Sequence, residues 1–139
     1  MKKDVLIIED DLNILNAEQL ILQRNFTVHT ASNGEEGLKK AKQVKPSVIL
    51  LDVMIPKIDG FTVCRNIRLD NNLRNTKIIM VTAKNEDKDE AKGMELGADD
   101  YIMKPFEPEE LLHVVNQVLD HWSVDLSKRH PVPAFAESE

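Results

Sequence analysis

Residues 47–60 read SVILLDVMIPKIDG, an apolar run followed by an aspartate and a turn-rich segment. The run from Val48 to Leu51 is too short for a lone helix and is rich in β-branched residues, which is typical of a strand buried on both faces in a parallel sheet. Asp52 follows at the carboxyl end of this strand, the edge where ligands collect in open α/β sheets. Asp52 is therefore either a functional carboxylate or the first residue of the turn that Pro56 and the later Asp-Gly pair favour.

Length and composition predict one soluble globular domain. The chain has 139 residues, of which 42% are hydrophobic and 30% charged, enough for a single packed core. Its formal net charge of −6 argues against direct nucleic-acid binding, which needs a basic face. No apolar run approaches the roughly 20 residues of a membrane-spanning helix, and the first residues do not form a signal peptide. With a single cysteine, Cys64, the chain is expected to be cytoplasmic and to have no membrane partner.

Short apolar runs alternate with amphipathic helical patterns along the chain. Strands are predicted at residues 5–8, 26–30, 48–51, 78–81 and 101–103. Helices are predicted at residues 12–24, 35–44, 61–69, 86–96 and 107–122. This alternation predicts a parallel sheet that is covered on both faces and joined by right-handed crossovers. The second strand alternates polar and apolar residues, so we expect it at an edge of the sheet.

The apolar patterns of two helices predict which of their residues are buried and how firmly each helix is held. The first helix is predicted to bury a broad stripe made of Leu12, Ile14, Leu15, Leu20, Ile21 and Leu22. The helix at 86–96 has only a thin apolar face, which consists of Ala91, Met94 and Leu96. Gly93 inside that helix costs roughly 1 kcal/mol relative to alanine. We therefore expect the helix at 86–96 to be the least stable one and the easiest to move.

The domain is predicted to span residues 1–122 and to be followed by a tail at residues 123–139. The tail contains Pro131 and Pro133, and its apolar residues have no period. Such a segment is expected either to be disordered or to be the stump of a linker to something outside this chain.

Chemically active side chains follow four of the predicted strands at the point where each ends: Glu9, Asp10, Asp52, Thr82 and Lys104. Carboxylates that are held together repel one another, so they need a cation or a raised pKa. An all-oxygen set suits Mg²⁺ better than zinc, which prefers histidine or cysteine. A lysine and a hydroxyl beside a metal-bound carboxylate are the groups that phosphoryl transfer requires, with a carboxylate as nucleophile.

Each of these residues also has an ordinary explanation when it is taken alone. Thr82 could cap the next helix, Lys104 could be a solvated surface lysine, and Tyr101 could be a half-exposed strand aromatic. Their joint placement after separate strands favours the functional interpretation. The four histidines have no metal-binding spacing, and we interpret them as surface or packing residues.

The order of these motifs resembles the receiver domain of two-component response regulators over residues 3–122. The matching fragments are Glu9-Asp10, the loop from Asp52 to Gly60, Thr82-Ala83, GADDY at 97–101 and KPF at 104–106. The resemblance implies a single doubly wound (βα)5 three-layer sandwich, an α/β fold with strand order 2-1-3-4-5.

The resemblance also implies a role for each residue of the cluster. Asp52 would be the phosphorylated nucleophile, with Lys104 pairing with the phosphoryl group and Thr82 donating a hydrogen bond to it. Mg²⁺ would be bound directly by Asp10, Asp52 and the Met54 carbonyl, and by Glu9 largely through water. Tyr101 would turn inward as Thr82 moves toward the phosphate, and the Lys104-Pro105 peptide bond would be cis. Asp11 is interpreted as a helix cap and not as a metal ligand.

The function expected from this resemblance is a phosphorylation-dependent signalling switch, not a conventional enzyme. The phosphodonor would be a phosphohistidine on a sensor histidine kinase or a histidine phosphotransfer protein, and the domain would later hydrolyse its own acyl phosphate. The surface formed by the helix at 86–96, the strand that contains Tyr101 and the last helix around residues 113–117 would then change shape. A downstream effector or output domain would read it, or two copies would pair through it.

Two other functions compete with this one. A haloacid dehalogenase-like, Mg²⁺-dependent phosphohydrolase would also use an aspartyl nucleophile, but it needs a second aspartate two residues later, where this chain has Met54. A docking module with a vestigial pocket would not need Lys104 and Thr82. Both residues therefore favour the switch.

Overall fold

The computed structural model describes residues 2–83 and 87–123, and within the helices it describes the side chains of all but residues 87–90 and 121–123. The five strands are β1 Asp4–Ile8, β2 Thr27–Ala31, β3 Val48–Asp52, β4 Lys77–Ala83 and β5 Asp100–Lys104. The five α-helices are α1 Leu12–Leu22, α2 Gly34–Val44, α3 Gly60–Leu69, α4 Asp87–Glu95 and α5 Pro108–Ser123, with a short 3-10 helix at Asn71–Leu73. The predicted tail lies outside the described residues, apart from Ser123.

The five strands are parallel and lie in the order β2-β1-β3-β4-β5, which confirms the predicted fold class. All five residues of β3 are buried, while β2 is partly exposed at the edge of the sheet, as its alternating pattern predicts. Among the described residues, none of the helices is long and apolar enough to cross a membrane.

Two apolar cores cover the faces of the sheet. The α1–α5 core lies on one face and includes Leu15, Leu22, Leu50, Leu111 and Val115. The α2–α3 core lies on the other face and includes Ala41, Leu51, Val63, Ile67 and Met80. Because side chains alternate between the faces of a strand, neighbouring residues such as Leu50 and Leu51 belong to different cores. The faces of the central strands are thus filled by apolar side chains, so polar side chains collect at the ends of the strands.

The predicted apolar stripe of α1 is partly wrong. Leu12 and Leu20 are largely exposed, whereas the helix buries Leu15, Glu18 and Leu22. These three residues are spaced three and four apart and therefore share one helix face. Six apolar residues spread around the helix do not show which side of it faces the sheet. In the observed rotation about the helix axis, a glutamate lies in the interior.

The predicted apolar face of α4 is also wrong in two of its three residues. Ala91 and Met94 are exposed, and only Leu96, just after the helix, packs partly against the α2–α3 core. Among residues 91–95, the part of this helix whose burial is described, Gly93 is the buried one, and a Cβ atom there would lie 3.1 Å from Met80 Cγ. The missing side chain lets α4 approach the sheet closely, at the cost of apolar area that would hold the helix down.

A buried ion pair fastens the segment after α4 to the rest of the domain. Arg68 Nη2 lies 2.6 Å from Asp99 Oδ2, and this oxygen also accepts the Ile78 backbone N–H at 2.8 Å. The same guanidinium donates to the carbonyl oxygens of Gly97 and Thr76, each at 2.7 Å. Gly97 has a φ of 108°, which a side chain would strain. Arg68 therefore joins α3, the start of β4 and the turn before β5.

We predict that Arg68→Ala lowers the free energy of unfolding by about 3–5 kcal/mol, because it removes the ion pair with Asp99 and the hydrogen bonds to the Gly97 and Thr76 carbonyl oxygens. Urea denaturation gives this number directly. Arg65→Ala is the matched control, since Arg65 is exposed on the same helix, and it should change stability by less than about 0.5 kcal/mol. Equal effects of the two substitutions would show that the ion pair between Arg68 and Asp99 adds nothing to the free energy of unfolding.

Candidate functional site

The carboxyl edge of the sheet brings together side chains from four separate segments. Glu9 and Asp10 follow β1, Asp52 is the last residue of β3, Thr82 lies near the end of β4, and Lys104 ends β5. In the register of the sheet, Asp52 is opposite Val81 and Lys104 is opposite Ala83. The residues selected in the sequence therefore lie at one edge, as expected for parallel strands.

Three carboxylates form the acidic pocket, which consists of Glu9, Asp10 and Asp52. One carboxylate oxygen from each lies within 4.8 Å of the others. Glu9 is 1% exposed and Asp52 is 6% exposed, whereas Asp10 is exposed to solvent. The pocket thus has two buried acids at its base and one at its rim.

Lys104 bridges the two buried acids. Its Nζ donates a hydrogen bond of 2.6 Å to Asp52 Oδ2 and lies 3.1 Å from Glu9 Oε1, a charge contact without hydrogen-bond geometry. Burial lowers the pKa of Lys104, but the hydrogen bond that Lys104 donates to Asp52 and the charges of both acids outweigh burial and raise it. Lys104 is therefore a cation held by the pocket and not a freely solvated lysine.

Asp52 also begins a turn, as the second interpretation of this residue predicts. Its Oδ1 accepts the Met54 backbone N–H at 2.9 Å, which fixes the carboxylate while Oδ2 faces Lys104. Gly60 returns the loop to β3, since its N–H donates to the Val53 carbonyl at 3.0 Å. A Cβ atom on Gly60 would lie 2.4 Å from the Asp52 carbonyl oxygen, so only glycine permits this approach.

The pKa of Glu9 is raised to about 7, first by burial and then by the neighbouring Asp52 carboxylate. Glu9 Oε2 accepts the Asp11 N–H at 3.1 Å, while buried Oε1 has no hydrogen-bond partner among the described residues. Such a buried oxygen, in a set made only of carboxylates, fits a hard divalent cation such as Mg²⁺. One lysine against three acids leaves a negative charge that a cation would offset.

The remaining predicted residues lie beside the pocket. Thr82 is buried inside β4, five residues before α4 begins, so it does not cap that helix, and its hydroxyl donates to the Ala83 carbonyl at 3.2 Å. Tyr101 is partly exposed on β5 and packs against the α2–α3 core. The Lys104-Pro105 bond is cis, as the resemblance implies. Asp11 caps α1 by accepting the Asn13 and Ile14 N–H groups at 2.9 and 3.3 Å.

Sequence reasoning missed Glu18, the buried acid of α1. Burial raises its pKa to about 8, with smaller contributions from the charges of Glu9 and Asp52 and an opposing one from Lys104. Its position three residues after Leu15 and four before Leu22 was the available signal, because those spacings place it on the apolar face.

Comparison with known proteins agrees with this geometry. The family described as response regulator receiver domain matches residues 5–116. The Bacillus subtilis (strain 168) alkaline phosphatase synthesis transcriptional regulatory protein PhoP is 46% identical over 120 residues, which are 86% of this chain and 49% of PhoP. The chain therefore spans about half the length of the curated relatives that it matches.

Two solved structures share the fold over nearly their whole length. The BeF3-activated receiver domain of DrrB, a Thermotoga maritima OmpR/PhoB homolog, is 37% identical with a TM-score of 0.78, covering 86% of this chain and 99% of that one. The receiver domain of the sensor histidine kinase PA1611 from Pseudomonas aeruginosa PAO1, which has a magnesium ion coordinated in its active site cleft, is 26% identical with a TM-score of 0.80 and the same coverage. With the family match and the geometry of the acidic pocket, the chain belongs to the response regulator receiver domains, the signalling modules of two-component systems.

Proposed function

We propose that this domain is a phosphorylation-dependent switch in which Asp52 accepts a phosphoryl group. The observation that carries the proposal is the contact of 2.6 Å between Lys104 Nζ and Asp52 Oδ2 at the base of the acidic pocket. A carboxylate that ends the central strand, faces an ammonium group and lies near the exposed Asp10 has the setting that an aspartyl nucleophile needs.

The phosphoryl group would come from a phosphohistidine on a sensor histidine kinase or a histidine phosphotransfer protein. An Asp52 carboxylate oxygen attacks phosphorus, the new O–P bond forms, and the P–N bond breaks with its electron pair returning to the imidazole. Hydrolysis of the acyl phosphate by water later restores the carboxylate and releases inorganic phosphate. Lys104 offsets the negative charge that the phosphoryl oxygens bring to the pocket.

The acidic pocket is proposed to hold Mg²⁺, with Asp10, Asp52 and the Met54 carbonyl as direct ligands and Glu9 acting largely through water. When bound, Mg²⁺ supplies positive charge for the phosphoryl oxygens. Without a cation, the negative charge of the three carboxylates would repel an anionic phosphodonor.

The signal is proposed to pass from Asp52 to α4, β5 and α5. Thr82 reorients its hydroxyl from the Ala83 carbonyl to the phosphoryl group, and Tyr101 turns inward on the neighbouring strand. The short apolar contact of α4, centred on Gly93, allows a differential interaction of a few kcal/mol to move this helix. Because PhoP is named as a transcriptional regulatory protein, we propose a downstream effector or output domain as the reader of this surface, with pairing of two copies as the other mode.

We predict that Asp52→Asn folds normally and takes up no phosphoryl group from acetyl phosphate and Mg²⁺, because the amide is not a nucleophile. Intact mass spectrometry measures the gain of one phosphoryl group per chain. Asp59→Asn is the control in the same loop: Asp59 caps α3 by accepting the Thr62 N–H at 3.0 Å, and asparagine caps equally well. Full labelling of Asp52→Asn at another residue would overturn the proposed acceptor.

We predict that Mg²⁺ stabilises the wild-type domain by about 2.7 kcal/mol at a concentration a hundredfold above its dissociation constant. Asp10→Asn should lose most of this gain, since it removes an acid from the pocket rim, and its labelling should no longer depend on Mg²⁺. Thermal unfolding with and without Mg²⁺ is the measurement, and Asp11→Asn, which keeps the cap of α1, is the control. Labelling of the wild type that is insensitive to a chelator would contradict the metal site.

We predict that beryllofluoride, a stand-in for the phosphoryl group, changes amide exchange at residues 82–103 and much less in α1. The reason is that α4 has little apolar area to hold it, whereas α1 buries Leu15 and Leu22. Hydrogen exchange by mass spectrometry tests this, with Tyr101→Ala compared with Tyr101→Phe, which keeps the ring. If changes stay within the Asp52 loop and Tyr101→Ala responds like the wild type, the proposed relay through Tyr101 is wrong.

A further inference from the structure

A second pocket lies at the amino end of the sheet, opposite to the end that carries the acidic pocket. Its volume is about 350 Å³. The polar residues that line it include Lys3, Lys45, Ser47, Asn72, Asn75 and Lys77, and we call it the lysine pocket. Its three lysines come from three separate segments, which are the residues before β1, the residues after α2 and the start of β4.

Hydrogen bonds at the start of the strands hold the walls of the lysine pocket in place. The Ser47 N–H donates to the Asp4 carbonyl at 2.9 Å, and the Ser47 carbonyl accepts the Lys77 N–H at 2.9 Å. The Thr76 hydroxyl donates to the Pro46 carbonyl at 2.8 Å. These bonds join the starts of β1, β3 and β4, so the sheet itself sets the shape of the pocket.

Acidic residues near the lysine pocket do not line it. Asp4 lies 3.0 Å from His29 Nε2 on the neighbouring strand. Asp70 accepts the Asn72 N–H at 2.9 Å as the N-cap of the 3-10 helix, and Asp120 is exposed on α5. Within the described part of the chain, the lining therefore contains lysines and no carboxylate, although the net charge of the chain is −6.

Lys77 places one of the three charges at a buried position, since it is 4% exposed. A charge that is shielded from water attracts an anion more strongly than a charge on the surface. Lysines at this end of a sheet can also simply offset the dipoles of helices that end there. That explanation fits Lys45, the C-cap of α2, but not Lys3, which precedes the first strand, and it does not require three lysines to share one pocket.

We propose that the lysine pocket binds a small anion that carries two or more phosphate groups. Lysine ammonium groups bind phosphate oxygens as point charges, and the amides of Asn72 and Asn75 and the hydroxyl of Ser47 can donate hydrogen bonds to the same oxygens. The pocket volume is that of a small-molecule site and leaves room for more than one phosphate group. This inference is independent of the proposed phosphoryl transfer, which takes place at the other end of the sheet.

The lining also indicates which part of such a ligand is recognised. Among the described residues, no aromatic side chain lines the pocket, so a nucleobase would have no ring on which to stack. Recognition is therefore expected to act on the phosphate groups alone. Inorganic pyrophosphate and the phosphate chain of a nucleotide share this chemistry.

Titration of the isotope-labelled chain with sodium pyrophosphate, followed by amide NMR, tests the proposal. The buffer contains no divalent cation, so the acidic pocket repels anions. Amide shifts should concentrate at residues 45, 47 and 72–77 and stay small at Asp10, Asp52 and Met54. ATP should compete with pyrophosphate and bind within about threefold of it, whereas sulfate, with a single tetrahedral group, should bind about fivefold more weakly.

Four substitutions show whether the lysines carry the binding. Lys3→Gln and Lys45→Gln each remove one exposed charge and should weaken pyrophosphate binding about fivefold, while Lys77→Met, which removes the buried charge, should weaken it about tenfold. Lys39→Gln removes an exposed lysine of α2 that does not line the pocket, so it should bind like the wild type. Thermal unfolding without ligand shows whether Lys77→Met keeps the fold, and the two exposed substitutions test the proposal in either case.

Three results would overturn the proposal. The first is equal pyrophosphate affinity in the wild type, Lys3→Gln and Lys45→Gln, and the second is sulfate binding as tight as that of pyrophosphate. The third is ATP binding more than about tenfold tighter than pyrophosphate, since this would show that the nucleoside and not the phosphate chain is recognised.

Discussion

Repulsion among carboxylates at the edge of an apolar sheet is the constraint on which the rest of this domain depends. Glu9 and Asp52 are both buried, and the charge of Asp52 raises the free energy of the charged form of Glu9. Lys104 offsets part of this repulsion through its contacts of 2.6 and 3.1 Å with the two acids. One lysine against three acids leaves a negative charge, which is the basis for the proposed binding of a cation in the pocket.

The packing around the sheet explains how such a pocket is tolerated and how it could signal. Two apolar cores hold the strands so that their carboxyl ends stay together, and β3 is buried along its whole length. Arg68 fastens the turn after α4 through Gly97 and Asp99, while α4 itself lies on the sheet through Gly93. A helix that is fastened at one end and thinly packed elsewhere is the element that we propose moves when the charge at Asp52 changes.

Local patterns in the sequence were sufficient to predict the fold class and the residues of the acidic pocket. Apolar runs and helical periods are properties of neighbouring residues, so the alternation of strands and helices predicted a covered parallel sheet. Parallel strands end at the same edge, and therefore Glu9, Asp10, Asp52, Thr82 and Lys104 could be grouped before any distance was known. The order of the strands came from the family resemblance, because spacing along the chain does not specify which strands are neighbours.

Only the tertiary structure decided which side chains meet and which are buried. Lys104 is 52 residues from Asp52, and Arg68 is 31 residues from Asp99, so neither ion pair has a local signature. The burial of Glu18 depends on the rotation of α1, which its broadly distributed leucines and isoleucines could not specify. The sequence by itself thus determined the elements and the chemistry at their ends, whereas helix rotation and long-range pairing depend on packing between segments distant in the chain.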